Sequence, residues 1–292
     1  MTLPDINFLD ADEVIAVLEG GADALDDSPY RKGSTVVLPA HGRLLFSGDI
    51  HDYPGHLEAI VRLAELDESK DNHVILHELI HGERLFDGMD MSYRNLAIVA
   101  ALVQRYPMQV HPLLANHELA QCFRIAVSKG GGDQVAMFDA GLDYVFSDRA
   151  EEVATAIRDF IRAMPLVVRG ENGVWCGHSI PAQSDFDPSV FDRPLEDADY
   201  LGPDGAAWQL VWGRSQDPAH VKALLERFKA KVFLVGHCHA EMGIDSPADG
   251  LVVVNSDHDR GVVVPIDLGG PAPTGEEVES SAIPLGLHRD LP

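Results

Sequence analysis

Short apolar runs rich in β-branched residues alternate along this chain with longer stretches of helical period, and that alternation confines it to the α/β class. The runs "STVVLP" and "RLLFSGD" read as strands. They are followed by "PGHLEAIVRLAEL", which carries Pro54 near a helix start and sets Leu57, Ile60, Val61 and Ala64 on one face. A strand "NHVILHEL", a helix "SYRNLAIVAALVQRY" stopped before Pro107 and a strand "MQVHPLLA" continue the series. Residues 118–164 read as mostly helical, with a break at Gly130, Gly131 and Gly132. Beyond them a hairpin joins "PLVVR" to "VWCG" through "GENG", and a Pro- and Asp-rich stretch at 180–204 reads as a long surface loop. Helix "PAHVKALLERFKA", strand "KVFLVG" and the pair "GLVVVNSD" and "GVVVPIDL" complete the pattern. With 292 residues the chain can bury one large core. A single domain is expected over 1–270, with 1–40 as an extension packed on it and 271–292 as a loosely held tail.

Charge and composition restrict the partners. Lys plus Arg number 22 against 47 Asp plus Glu, a formal charge of −25. Such a surface repels a nucleic-acid backbone and an anionic membrane, so neither a nucleic-acid duplex nor a membrane is an expected partner. No run approaches the roughly 18 consecutive apolar residues of a membrane span. The opening "MTLPDINFLDADEV" lacks the basic and apolar regions of a secretory signal, and a cytoplasmic location is expected. Cys122, Cys176 and Cys238 are odd in number and scattered, which argues against a disulfide framework and fits a reducing compartment.

The strand ends carry the chemistry. An α/β sheet delivers its functional groups at the carboxyl ends of its strands, and here several strands end in metal-ligand residue types. "LLFSGDIHD" supplies Asp49 and His51, whose i, i+2 spacing puts both on one side, able to chelate one ion. "HVILHE" supplies Glu78, "PLLANHE" supplies Asn116 and His117, "VWCGHS" supplies His178, and "VFLVGHCHA" supplies His237 and His239. Taken singly, an Asp after Gly reads as a turn residue and a His after a strand as a polar tip. Five such sites in a fixed order are far more specific.

That order resembles the calcineurin-like metallophosphoesterases, and within them the serine/threonine phosphoprotein phosphatase branch. The family pattern is G-D-x-H, G-D, G-N-H-E, H, then G-H or G-H-x-H. It matches Gly48-Asp49-Ile50-His51, Glu78, Asn116-His117-Glu118, His178 and Gly236-His237-Cys238-His239. The likeness extends between motifs, through "ALVQRYPMQVHPLLANHE", "AMPLVVRGENGVWCGHSIP" and "LVWGRSQDP", over residues 42–268. It implies two packed mixed β-sheets flanked by helices, and a phosphoric ester hydrolase with a dinuclear centre of two divalent metal ions of Mn, Fe or Zn type. Asp49, His51 and Glu78, with His239 as a further candidate, would hold the first ion; Glu78, Asn116, His178 and His237 would hold the second. His117 would face the leaving oxygen as general acid or transition-state stabiliser. Arg214 and Arg84 are the nearest candidates for binding phosphate. The implied substrate is a phosphorylated small molecule, a nucleotide or a phosphoprotein.

The second motif departs from the pattern. The family has G-D-x-x-D-R-G, whereas this chain has His77-Glu78-Leu79-Ile80-His81-Gly82. Glu78 replaces the bridging Asp and His81 replaces the Asp that orients the catalytic histidine; Glu118 or Asp52 could supply the missing carboxylate. Ala115 replaces the Gly of G-N-H-E, which matters only where that backbone needs a positive φ. Two alternatives follow. One is a phosphatase-like binding module whose altered motif has cost it turnover. The other is a zinc peptidase, because residues 77–81 spell H-E-x-x-H; that reading needs a helix to bring both imidazoles to one face. On a strand, His77 and His81 would face one way and Glu78 the other.

Overall fold

The computed structural model describes residues 2–129 and 132–288. Gly130 and Gly131 of the expected glycine break, and residues 289–292 of the expected tail, lie outside them. Among the described residues the strands form two mixed sheets and two short hairpins. The seven-stranded sheet runs, in spatial order, Arg31–Lys32, Thr35–Leu38, Val167–Gly170, Val174–Gly177, Val232–Val235, Leu251–Val254 and Ile244–Ala248. The five-stranded sheet runs Ile283–Pro284, Val262–Asp267, Arg43–Asp49, Asn72–His77 and Val110–Leu113. The last three of these are parallel, so their carboxyl ends share one edge of the sheet.

Period-2 side-chain alternation explains why the strands read as continuous apolar runs: both faces are covered. In Arg43–Asp49, Leu44 and Phe46 enter the layer between the two sheets, while Leu45 joins the core beneath the helices. Val232–Val235 and Leu251–Val254 behave alike, with Val232, Leu234, Val252 and Val254 between the sheets and Phe233, Val235, Leu251 and Val253 on the helix side.

The expected helices form at Pro54–Ala64, Tyr93–Arg105 and Pro218–Phe228, and the region 118–164 holds Asn116–Phe123, Gln134–Phe146 and Ala150–Ala163. The 1–40 extension carries a helix, Ala11–Asp26, capped by the Asp10 carboxylate and packed on Tyr93–Arg105 and Ala150–Ala163 through Val14, Leu18 and Leu25. The stretch at 180–204 is mostly irregular, with a 3₁₀ turn Pro188–Asp192 and a short helix Asp197–Tyr200. Part of the stretch 271–288 takes regular structure. Helix Gly275–Ser281 buries Val278, and strand Ile283–Pro284 pairs with Val262–Asp267. A seven-residue helix with one buried side chain offers no period to read.

Two buried histidines away from the strand ends give the fold an acid sensitivity. His111, 2% exposed on Val110–Leu113, lies with Nε2 3.2 Å from His73 Nδ1, the rings stacked 5.4 Å apart. Burial, and then the neighbouring His73, pushes the His111 pKa down to about 3. The folded chain keeps this ring neutral, whereas the unfolded chain takes up its proton near pH ~6.5. The unfolded state therefore binds more protons between those values, and stability is lost as pH falls through that window. The loss attributable to His111 at pH ~5 relative to neutral pH is about 2 kcal/mol. Urea titrations at the two pH values should show a smaller acid loss in His111→Leu than in wild type; equal losses would exclude His111 as the source.

Candidate metal centre

The site forms where the two sheets converge. At Gly48 a Cβ would stand 2.0 Å from the Val254 carbonyl oxygen, so only glycine lets Arg43–Asp49 come this close to the other sheet. Gly48 N–H donates to Ser256 Oγ at 2.9 Å, Ser256 N–H donates to the Asp49 carbonyl at 3.0 Å, and Asp49 bridges Asn255 in parallel register. Beyond the strand ends the backbone turns sharply. His51, Glu78, His81 and His237 have φ of 43°, 49°, 61° and 63°, left-handed values that cost a non-glycine residue roughly 1 kcal/mol each. The loops are stitched together: His51 N–H donates to the Glu78 carbonyl at 2.7 Å, and Ala240 N–H donates to Asn255 Oδ1 at 2.6 Å.

These turns gather donors around buried carboxylates. Asp49 accepts from the His237 N–H at 2.8 Å and lies 3.1 Å from His77 Nε2. Burial would raise its pKa, but the hydrogen bond from His77 and the electrostatic influence of the His178 and His77 rings hold it well below the usual carboxylate range. Glu78, 2% exposed, is driven the other way by burial and by the charge of Asp49. His178 Nε2 lies 2.7 Å from Asn116 Oδ1, 3.1 Å from His237 Nδ1 and 3.5 Å from Glu78 Oε1. Burial holds His178 well below its ordinary pKa and, with Arg214 beside it, brings His237 down to about 4, so both imidazoles offer lone pairs.

Three overlapping groups of ligand atoms result: Asp49, His77 and His178; His51, Glu78 and His117; and Glu78, His178 and His237. Two observations show that the donor set fits cations. Among the described residues, Glu78 Oε1, His178 Nδ1 and His237 Nε2 are buried without a hydrogen-bond partner, a costly state that a bound cation relieves. His51 Nδ1 lies 3.1 Å from the Ile80 carbonyl, which can only accept, so the proton sits on Nδ1 and the Nε2 lone pair faces Glu78 Oε2 at 3.4 Å. A lone pair and a buried carboxyl facing one another across that gap can hold a cation in place of a shared proton. A cavity of ≈ 380 Å³ opens over the group, with Trp212, Val127 and Arg214 in its walls.

A sequence profile described as calcineurin-like phosphoesterase matches residues 42–241. The chain belongs to that family. Its fold is shared by a protein serine/threonine phosphatase from Saccharomyces cerevisiae, described as similar to human phosphatase PP5. The two chains are 16% identical, with a TM-score of 0.65 over 88% of this chain and 83% of that one. A cold-active protein-tyrosine phosphatase of a psychrophilic Shewanella species, 15% identical, superposes with a TM-score of 0.50 over 82% of this chain and 81% of that one. A search of curated protein sequences found no match.

Against the family pattern, the departures become physical. Residues 77–81 form no helix: His77 ends a strand and lies against Asp49, while His81 Nδ1 lies 3.0 Å from His117 Nδ1. The constellation a zinc peptidase needs is therefore not assembled by H-E-x-x-H. Ala115 has φ of −120°, extended backbone that needs no glycine. The two suggested carboxylates have partners of their own. Glu118 accepts from the Leu79 N–H at 2.7 Å, its pKa raised by burial to about 7, and Asp52 lies 3.8 Å from Arg84.

The remaining candidates divide. Arg214 is exposed at the cavity wall and donates to the His237 carbonyl at 3.1 Å. His239 lines the same cavity but is exposed and outside the three donor groups. Arg84 lines a different cavity, of ≈ 410 Å³, beside Phe86 and Arg94. Sequence reasoning missed Asn255, which lines the site cavity and ties the loop after His237. Its place at the end of "GLVVVN" obeys the same strand-end logic that found the others.

Gly236 offers a direct test of the donor cluster. A Cβ there would stand 1.9 Å from Asp49 Oδ1 and 2.6 Å from His77 Nε2. Gly236→Ala must displace Asp49, and elemental analysis after manganese loading is expected to show bound metal reduced on the order of 10-fold or more. Unchanged metal content would mean that Asp49 is not a ligand.

Proposed function

We propose that this chain hydrolyses phosphate esters with two divalent cations of Mn, Fe or Zn type. The observation that carries this reading is the convergence of Glu78 with both sets of donors, one containing His51, with His117 beside it, and the other containing His178 and His237. Asp49, His51 and Glu78, with His239 reaching in from the rim, would hold one cation, and Glu78, Asn116, His178 and His237 the other. Bound there, the pair supplies Lewis acidity toward phosphoryl oxygens and an acidified water. The chain supplies the rest. Glu78 lies between the donor sets and offsets their charge, and the neutral imidazoles fill the spheres without excess negative charge. Arg214, at the cavity wall, draws the phosphate in by charge-assisted hydrogen bonds. His117, in its doubly protonated form, delivers the Nε2 proton to the leaving oxygen as the P–O bond breaks. Trp212 and Val127 give the cavity apolar walls beside the reacting group.

Arg84, in the other cavity, is a candidate for contacts with a larger substrate. The relatives named above are phosphoprotein phosphatases, and a phosphoprotein, a nucleotide or a phosphorylated small molecule fits the open cavity. The −25 formal charge disfavours strongly acidic phosphopeptides. No described helix is long and apolar enough to cross a membrane. Three free cysteines support a reducing, cytoplasmic setting.

Hydrolysis of p-nitrophenyl phosphate by the manganese-loaded protein tests the reading. His117→Asn is expected to lower kcat on the order of 100- to 10,000-fold while leaving bound metal unchanged, and Glu78→Ala to lose metal and hydrolysis together. Wild type that binds two metals yet hydrolyses neither monoesters nor diesters would replace this reading with the binding module.

A further inference from the structure

We propose that His81, Gln121 and Asp139 are positioning residues that fix the tautomer and aim of His117, in place of the single carboxylate that the motif lacks. The argument starts at the surface. Asp139, 29% exposed, is paired with the Arg124 guanidinium at 3.1 Å. A carboxylate so paired only accepts, so the Gln121 group facing it at 2.9 Å is the amide NH₂. That choice turns Gln121 Oε1 toward His81 Nε2, 3.0 Å away. An amide oxygen also only accepts, so His81 carries its proton on Nε2 and keeps a lone pair on Nδ1. His81 Nδ1 lies 3.0 Å from His117 Nδ1, and the bond forms only if His117 supplies the hydrogen. His117 is thereby held with Nδ1 protonated, and Nε2 is its group on the side of Glu78, 3.8 Å from Oε1.

Each link is forced by the one before it, so the direction of the whole chain is set by an ion pair at its outer end. The helices support it: His117 and Gln121 stand one turn apart on Asn116–Phe123, Asp139 lies on Gln134–Phe146, and Phe138 packs edge-on against the His81 ring at 5.7 Å. His81 and Gln121 are both buried, so water does not compete for the bond between them.

The kinetic consequence rests on the phosphoesterase reading above; the tautomer does not. Long-range ¹H–¹⁵N spectra of the metal-free protein read the imidazole tautomers directly. Wild type is expected to show His117 protonated at Nδ1 and His81 at Nε2. Gln121→Leu removes the oxygen that faces His81 Nε2 and should give mixed tautomers at His117. In the manganese-loaded protein, Gln121→Leu is expected to lower kcat toward p-nitrophenyl phosphate on the order of 10- to 100-fold with KM and metal content little changed. Where Gln121→Leu does not fold, Asp139→Asn, at the half-exposed end, carries the same test, because its amide no longer dictates which way Gln121 turns. A wild-type His117 protonated at Nε2 but not at Nδ1, or Gln121→Leu with unaltered tautomers, would overturn the proposal. Wild type without phosphoesterase activity would overturn the functional reading and leave the spectra to decide this one.

Discussion

The site depends on one seam, the contact between the end of strand Arg43–Asp49 and the loops of the opposite sheet. Asp49 ties the two layers: its backbone pairs with Asn255, and its carboxylate accepts from the His237 N–H. Gly48 and Gly236 make the approach possible, since a side chain on either would occupy space held by Val254 or by Asp49 itself. Strand ends that belong to separate sheets in sequence terms are thereby brought within ligand distance of one another. Every other element of the centre, from the turn at Glu78 to the helix that opens at Asn116, is placed relative to this seam.

Bringing these groups together is unfavourable without a cation. Asp49, Glu78 and Glu118 are three buried acidic residues, and desolvation pushes both glutamates toward their neutral forms. The backbone adds left-handed turns at His51, Glu78, His81 and His237. Strain and unpaired polar atoms concentrated at one place are what a preorganised cation site costs the folded chain. The packing of both sheets, apolar on both faces, supplies the compensating stability.

Much of this was legible in the sequence because it obeys local rules. Period-2 runs flanked by helical stretches gave the α/β layers, and the strand-end rule located Asp49, His51, Glu78, Asn116, His178 and His237, all of which line the cavity or belong to the donor groups. What stayed hidden depends on contacts between distant segments. Gln121 is an ordinary helix residue until His81, 40 positions earlier, is folded against it. Arg84 is close to Glu78 in sequence, yet the turn at His81 carries it into a neighbouring cavity. Helix Gly275–Ser281 buries one side chain, Val278, too little for a period to reveal.

The replacement of a carboxylate by His81 then follows from electrostatics rather than from decay. A further carboxylate at position 81 would add a buried negative charge to a neighbourhood that already contains Glu78 and Glu118, and such charges raise one another's cost steeply in a dry interior. A neutral imidazole avoids that cost but has two possible tautomers, and only one of them accepts from His117. The ambiguity is removed by extending the hydrogen-bond chain through Gln121 to Asp139. There the negative charge is partly solvated and faces Arg124. The charge that orients the histidine has thus been moved from the crowded centre to the surface, at the cost of two more residues that must be held in register.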